Sequence, residues 1–253
     1  MRLCRLELEG APRWGIIEGD LVTALTGPPW DEVRKSTGGI PLATARLLPP
    51  CEPSKIIAVG LNYRAHAAEM GKELPEEPLV FLKAPSALLP PGGSVRLPNQ
   101  SNRVEYEGEL ALVVGKTASR VNAREALKCV SGFTCLDDVT ARDIQRREGL
   151  YTHAKGFDTF CPVGPWLETD IPDPQALDLQ LRVNGTVRQQ GSTADMIFSV
   201  AEVIAYISHI MTLYPGDLIT TGTPPGVGPL QTGDTVEVEI SGIGTLRHFV
   251  AAA

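Results

Sequence analysis

No stretch of this 253-residue chain approaches the run of about 18 apolar residues that a membrane span requires. A basic excess is missing too: 23 Lys and Arg stand against 30 Asp and Glu, a formal net charge of −7. That balance excludes a general binder of phosphate backbones, which needs a basic stripe. Cys4, Cys51, Cys129, Cys135 and Cys161 are odd in number and never take C-x-x-C spacing, so a zinc or dithiol redox site of that type is excluded. The opening Met1-Arg2-Leu3-Cys4-Arg5-Leu6-Glu7 lacks the continuous apolar core of a signal peptide. The expectation is a cytoplasmic protein with reduced thiols, and neither a membrane nor nucleic acid as partner. Phosphate-loop and dinucleotide glycine patterns are also missing.

What is present describes a folded chain. Hydrophobic residues make up 43%, near the globular average, which excludes intrinsic disorder. The length fits one large domain, or one with a small appendage, and needs no disulfide or metal staple to fold. Gly and Pro together reach roughly 18% against an average of about 12% and show no repeat period, which implies many turns between short strands. Cys4, Leu6 and Leu8 alternate with Arg5, Glu7 and Glu9, a period-two strand turned at Gly10-Ala11-Pro12 and followed by a second strand, Trp14–Ile17. Pro49-Pro50 and Pro53 mark a boundary, giving a small β-rich unit at 1–50 and a main domain at 51–253.

Short apolar strands follow at Ile56–Val59, Leu79–Leu82, Glu107–Val114 and Phe133–Leu136. Leu179–Val183 alternates into Asn184-Gly185, a hairpin signal, and Val236, Val238 and Ile240 alternate again. One helix is plain: Val200, Val203, Ile204, Ile207, Ile210 and Met211 keep helical spacing, Ser199 with Glu202 forms a capping box, and Pro215-Gly216 stops it. Its His209 lies off the main apolar stripe and reads as a surface or interface residue. A shorter helix is expected over Ala141–Glu148. The fold class is α+β, mainly β.

Chemistry concentrates in five segments. In Glu105-Tyr106-Glu107-Gly108-Glu109 carboxylates occupy every second position at the mouth of a strand whose remainder is continuously apolar. Residues i and i+2 of a strand share a face, so these acids repel each other and lose hydration, and a divalent cation relieves both costs. A second apolar strand runs into Asp137-Asp138, and a carboxylate there completes an all-oxygen site. Three hard ligands suit Mg²⁺ or Mn²⁺ and leave about three octahedral positions open. His66 and Glu69 are three apart, on one face of a helical turn, where a carboxylate orients an imidazole as general base. Lys155–Pro162 and Thr220–Gly228 read as turns, the latter with backbone N–H groups available to an anion.

Together these segments resemble the fumarylacetoacetate hydrolase family over roughly residues 51–250, through Asn62-Tyr63…His66…Glu69, Tyr106-Glu107-x-Glu109-Leu110, Asp138-Val139-Thr140-Ala141-Arg142-Asp143-x-Gln145, Lys155-x-Phe157-Asp158-Thr159-Phe160 and Thr221-Gly222-Thr223-Pro224. The resemblance implies a mixed β-sandwich roll around one Mg²⁺ or Mn²⁺. It implies Glu107, Glu109 and Asp138 as metal ligands, and His66 with Glu69 as a dyad on a mobile lid. Lys155, Arg142, Gln145 and Thr223 match positions that hold the substrate or support the site, with Lys155 grouped with the catalytic dyad. Asp137 stands where the family pattern often has Asn, so which aspartate takes the metal stays open at this point. The family is usually dimeric, so a homodimer is implied.

The resemblance also implies a reaction. A 2-oxo acid chelates a metal through its carboxylate and 2-oxygen, and the cation stabilises the enolate formed when a C–C or C–H bond breaks. The expected activity is that of a 2-hydroxyhepta-2,4-diene-1,7-dioate isomerase in aromatic catabolism. The alternatives are hydrolysis of an acylpyruvate or fumarylacetoacetate-like diketone, and oxaloacetate decarboxylation. A non-catalytic metal-holding protein is the reading of another class; the retention of both His66 and Glu69 argues against it.

Overall fold

The alternating start folds as strand β1 (Arg2–Leu8), paired antiparallel with β2 (Ala11–Glu18), which pairs with β3 (Leu21–Ala24). The computed structural model describes residues 1–31, 34–36 and 38–253. The first turn sits at Glu9-Gly10, a residue earlier than predicted, both at positive φ (54° and 75°), as a tight hairpin requires. Arg5 leaves the polar row of the alternation: it is buried, donates to the carbonyls of Pro49 and Cys51, and pairs with Glu52. That contact fastens β1 to the predicted linker.

Beyond residue 50 the order is β4 (Ile56–Gly60), α1 (Arg64–Glu69), β5 (Leu79–Lys83), β6 (Val104–Tyr106), β7 (Gly108–Val114), β8 (Val130–Asp137), α2 (Arg142–Glu148), α3 (Tyr151–Lys155) and β9 (Cys161–Glu168). The hairpin β10 (Asp178–Val183) and β11 (Thr186–Ser192) follows, then α4 (Val200–Ile210), β12 (Leu218–Thr220), β13 (Thr235–Ile240) and β14 (Gly244–Ala252). Strand outweighs helix, 42% against 18%, as the patterning implies. Among the described residues no helix is long and apolar enough to cross a membrane.

The main sheet runs β3-β2-β1-β9-β8-β7-β12-β4-β5. It is mixed, because β12 and β4 run parallel while the other neighbours are antiparallel. The N-terminal strands thus continue the sheet formed by the later strands, through two residue pairs of β1 with β9. A second sheet, β11-β10-β13-β14, ends on the parallel segment Ser94–Leu97.

Strand β7 lies between two cores, which explains its unbroken apolar run. Leu110, Leu112 and Val114 pack with Leu179, Leu181 and Val238 of the second sheet and with Val203, Ile204 and Ile207 of α4. Ala111 and Val113 pack on the other side with Leu3, Trp14, Ile56 and Val163. Each fully buried Val or Leu contributes about 1.5–3 kcal/mol, so the strand is a firm mount for what stands at its mouth. Helix α4 carries the predicted capping box and places His209 on the surface, although Ile210 is exposed rather than buried.

Two expectations are corrected. Glu107 does not begin the strand; it is a single residue between β6 and β7, outside both. Lys155 does not lie in a turn but ends helix α3, which packs beside α2 and β5.

Candidate active site

The mouths of β7 and β8 are adjacent because Gly108 pairs with Asp137 and Glu109 with Leu136. Asp138 follows β8 immediately, and its N–H donates to the Glu107 carbonyl (2.8 Å). One carboxylate oxygen from each of Glu107, Glu109 and Asp138 therefore lies within 4.8 Å of the others, and all three residues are buried. The remaining acids point elsewhere. Glu105 accepts from Arg103 (2.5 Å) and Arg142 (2.6 Å). Asp137 accepts from the Glu107 N–H (2.7 Å) and pairs with His248 (2.8 Å). So the aspartate left open by the sequence pattern resolves geometrically: Asp138 joins the cluster and Asp137 does not.

Buried cations surround the trio. Lys155 Nζ donates to Glu107 (2.8 Å) and Asp138 (2.5 Å), Lys83 Nζ donates to Asp138 (2.5 Å), and the Arg142 guanidinium donates to Glu107. Burial alone would raise the Glu107 carboxyl, but Lys155 and Arg142 outweigh it and hold the group below the ordinary carboxylate range. Burial likewise opposes the charge on Lys155, but Asp138 and Glu107 keep the ammonium well above its usual range. Glu109 behaves oppositely. Burial, together with the charges of Asp138 and Glu107, pushes it well above the ordinary range. Among the described residues it has no cationic partner, and it accepts only from the Thr220 hydroxyl and the Gly222 N–H (2.8 Å).

Helix α1 brings His66 and Glu69 together: His66 Nδ1 lies 3.0 Å from one Glu69 oxygen, and the other accepts from the Gly226 N–H (2.9 Å). The loop after β12 thus spends its backbone N–H groups on anions, as its sequence suggested, but on the protein's own Glu109 and Glu69. Gly222 has φ +96°, and a Cβ there would stand 2.8 Å from the Asn62 Cβ, so only glycine brings its N–H to Glu109. Asn62 in turn donates to Thr221 O (2.8 Å) and Phe198 O (3.0 Å) and accepts from the Phe198 N–H (2.8 Å). It locks β4, the loop after β12 and the entry to α4 together.

One cavity of about 350 Å³ is lined by eight of the nine predicted site residues: His66, Glu107, Glu109, Asp138, Arg142, Gln145, Lys155 and Thr223. Glu69 stands behind His66. Two of these residues, expected to hold the substrate or support the site, are engaged by protein groups. Arg142 is buried and committed to Glu105, Glu107 and the Gln145 oxygen (2.5 Å). The Thr223 hydroxyl donates to Gly108 O (2.8 Å) and accepts from Gln189 (2.8 Å). Sequence reasoning missed Lys83, whose signal is a lone Lys closing the apolar strand Leu79-Val80-Phe81-Leu82. It also missed Phe81 and Tyr151, whose tilted rings lie with centroids 4.7 Å apart, with Lys155 Nζ 5.1 Å from the Phe81 ring, and the cations Lys72 and Arg146.

The donor set fits a hard divalent cation. Three carboxylates converge, the buried cations pair with two of them and not with the third, and burial beside Asp138 and Glu107 raises the Glu109 carboxyl. This has a consequence for the metal-free protein. Folded Glu109 holds its proton more tightly than the unfolded chain, so stability falls as pH rises from the ordinary carboxylate range toward the raised value. Glu107 acts at the other end: its stabilisation is present above the ordinary range and lost as pH falls through its depressed value. Thermal denaturation in EDTA across pH is expected to show the alkaline-side decline in the parent and a flatter curve in Glu109→Gln. An unchanged decline in the variant removes Glu109 as its source.

The comparisons with known proteins bear on this site. The family description "Fumarylacetoacetate (FAA) hydrolase C-terminal" matches residues 55–251, and "Rv2993c-like, N-terminal" matches residues 1–50. A 2,4-didehydro-3-deoxy-L-rhamnonate hydrolase of Sphingomonas sp. (strain SKA58) is 41% identical over 274 residues, covering 99% of this chain and 96% of its own. Among solved structures, a 2-hydroxyhepta-2,4-diene-1,7-dioate isomerase from Mycobacterium marinum superposes with a TM-score of 0.93 at 42% identity, covering 100% of this chain and 98% of its own. A maleylpyruvate hydrolase from Sphingobium sp. SYK-6, in complex with manganese(II) and pyruvate, superposes with a TM-score of 0.83 at 33% identity over the whole of both chains.

Proposed function

Because the chain belongs to the fumarylacetoacetate hydrolase family, we propose that it is a divalent-metal-dependent enzyme acting on dianionic 2-oxo acids or their 2-hydroxydienoate forms. The observation that carries this reading is the meeting of the carboxylate trio and the His66–Glu69 pair at one cavity. Glu107, Glu109 and Asp138 would hold Mg²⁺ or Mn²⁺. Such a cation, when bound, supplies Lewis-acid stabilisation of the negative charge that develops on the substrate's 2-oxygen.

The chain's own groups do the rest. Glu69 fixes the His66 proton on Nδ1 and leaves Nε2 as the proton acceptor. Lys155, held charged and partly covered by Phe81, sets positive potential where an oxyanion or carboxylate would lie. Gln145 gives its oxygen to Arg142 and keeps its amide N–H groups for the substrate. Arg142 and Thr223 support the site through their protein partners. Lys72 and Arg146 line the cavity and have no carboxylate partner among the described residues, so they are available to the substrate's second carboxylate.

That availability is testable. Arg146→Gln is expected to raise KM for dianionic 2-oxo acids by about 10–100-fold, the worth of a hydrogen bond to a charged group, with little effect on monoanionic analogues. Equal changes for both classes remove Arg146 from substrate recognition.

The reaction we favour is isomerisation of a 2-hydroxydienoate dicarboxylate, with His66 moving a proton between oxygen and carbon. The second reading is C–C hydrolysis, with His66 taking a proton from water; it draws on the full-length similarity to a hydrolase. A panel of 2-oxo acids assayed with Mg²⁺ or Mn²⁺ and product identification separates isomer, cleaved fragments and CO₂. Absence of metal-dependent turnover across the panel overturns the proposal.

A further inference from the structure

We infer that Asp137 and His248 form a buried positioning pair that sets the metal-binding posture of Glu107; this rests on reading Glu107, Glu109 and Asp138 as ligands. Both residues are fully buried, and neither lines the cavity. Asp137 ends β8 in the main sheet, and His248 sits on β14 in the second sheet, so their 2.8 Å contact pins the two layers together directly behind the trio.

The other Asp137 oxygen reaches forward. Glu107 lies in the one-residue gap between β6 and β7, so its backbone groups have no strand partner. A buried N–H left unpaired costs about 1–3 kcal/mol. Here the Asp137 carboxylate accepts the Glu107 N–H at 2.7 Å, while the Asp138 N–H donates to the Glu107 carbonyl at 2.8 Å. Two adjacent aspartates therefore hold both sides of one residue's backbone. That residue's side chain points into the cluster, while the Asp137 side chain is withdrawn from it. His248 keeps it withdrawn by occupying its second oxygen. Asp137 and His248 thus act through the Glu107 backbone, and neither side chain belongs to the carboxylate cluster or lines the cavity.

The experiment is Mn²⁺ binding to the full chain, followed by titration of the free-ion paramagnetic signal, alongside thermal denaturation in EDTA. Asp137→Ala is expected to weaken Mn²⁺ binding by about 10–100-fold, the range for residues that orient a metal's ligands. Asp137→Asn keeps the acceptor for the Glu107 N–H and offers an N–H to His248, so it is expected to bind close to the parent. His248→Leu, which frees one Asp137 oxygen, is expected to weaken binding by about 10-fold and decides the matter should the Ala variant not fold. Parent-like binding in Asp137→Ala or His248→Leu, with only a lowered melting temperature, overturns the inference by making the pair merely structural. An Asn variant as weak as the Ala variant overturns it by assigning the effect to lost charge. A parent chain that binds no Mn²⁺ instead defeats the ligand reading itself, and the positioning role with it.

Discussion

Glu109→Gln is expected to abolish divalent-metal-dependent turnover while leaving the metal-free chain at least as stable as the parent. The choice of residue follows from the charges around the trio. Truncating Asp138 removes the one carboxylate partner that buried Lys83 has among the described residues, and truncating Glu107 removes one of the two carboxylate partners of both Arg142 and Lys155. Leaving Lys83 unpaired costs about 3–5 kcal/mol, and each half-broken pair weakens the buried network further, so a loss of activity in those variants is confounded with loss of stability. Glu109 carries no such debt. Its partners are a hydroxyl and a backbone N–H, and burial beside Asp138 and Glu107 already disfavours its charge. Glutamine keeps an acceptor for Thr220 and Gly222 and removes the repulsion. What it removes otherwise is one of three anionic ligands. If those ligands hold the cation that stabilises the transition state by several kcal/mol, the rate falls by about 10³-fold or more. Mn²⁺ titration, kcat at saturating metal and denaturation in EDTA report the three quantities separately. A variant that stays fully active at trace metal contradicts the assignment of the trio.

Much of this site was legible because its residues sit close in sequence to strong local signals. Glu107 and Glu109 stand at the start of a strand whose apolar run implies burial, Asp138 follows another, and the Ser199–Glu202 box marks a helix start by local chemistry alone. The hairpin at Asn184-Gly185 also depends only on near neighbours. What escaped depends on partners distant along the chain. Lys83 looks like a surface strand end until Asp138, 55 residues on, is placed over it. Arg5 reads as a solvent residue until the carbonyls of Pro49 and Cys51 surround it. Arg142 matched a position that holds the substrate or supports the site, but its two buried glutamate partners lie 37 and 35 residues back along the chain. The gap at Glu107 was hidden because alternation continues through it, and only the pairing of β6 with Gly228–Pro229 rather than with the main sheet reveals that the strand changes partners there. Periodicity reports which face is buried; it does not report which sheet does the burying.

His66→Ala is expected to lower the rate by about 10²–10⁴-fold, the usual worth of a positioned general base, without altering Mn²⁺ affinity. His66 is buried at the cavity wall, close to the carboxylates but outside the ligand trio, so its loss should spare the metal site. Its side chain has one protein partner among the described residues, Glu69, whose second oxygen is anchored by the Gly226 N–H. A ring held this way presents Nε2 in a fixed tautomer to a proton on carbon or on water. Glu69→Gln tests the arrangement one step back. The amide oxygen can still accept from Gly226, but the group facing His66 Nδ1 becomes an amide N–H, which turns the imidazole proton toward Nε2 and blocks it as an acceptor. The expected result is a drop in kcat comparable to that of His66→Ala, with KM and metal affinity near the parent values. If Glu69→Gln retains full kcat while His66→Ala loses it, the imidazole acts without its carboxylate and the dyad dissolves into a single base. If both variants keep full kcat on every substrate turned over by the parent, the proton is carried by another group and His66 loses its role as the base.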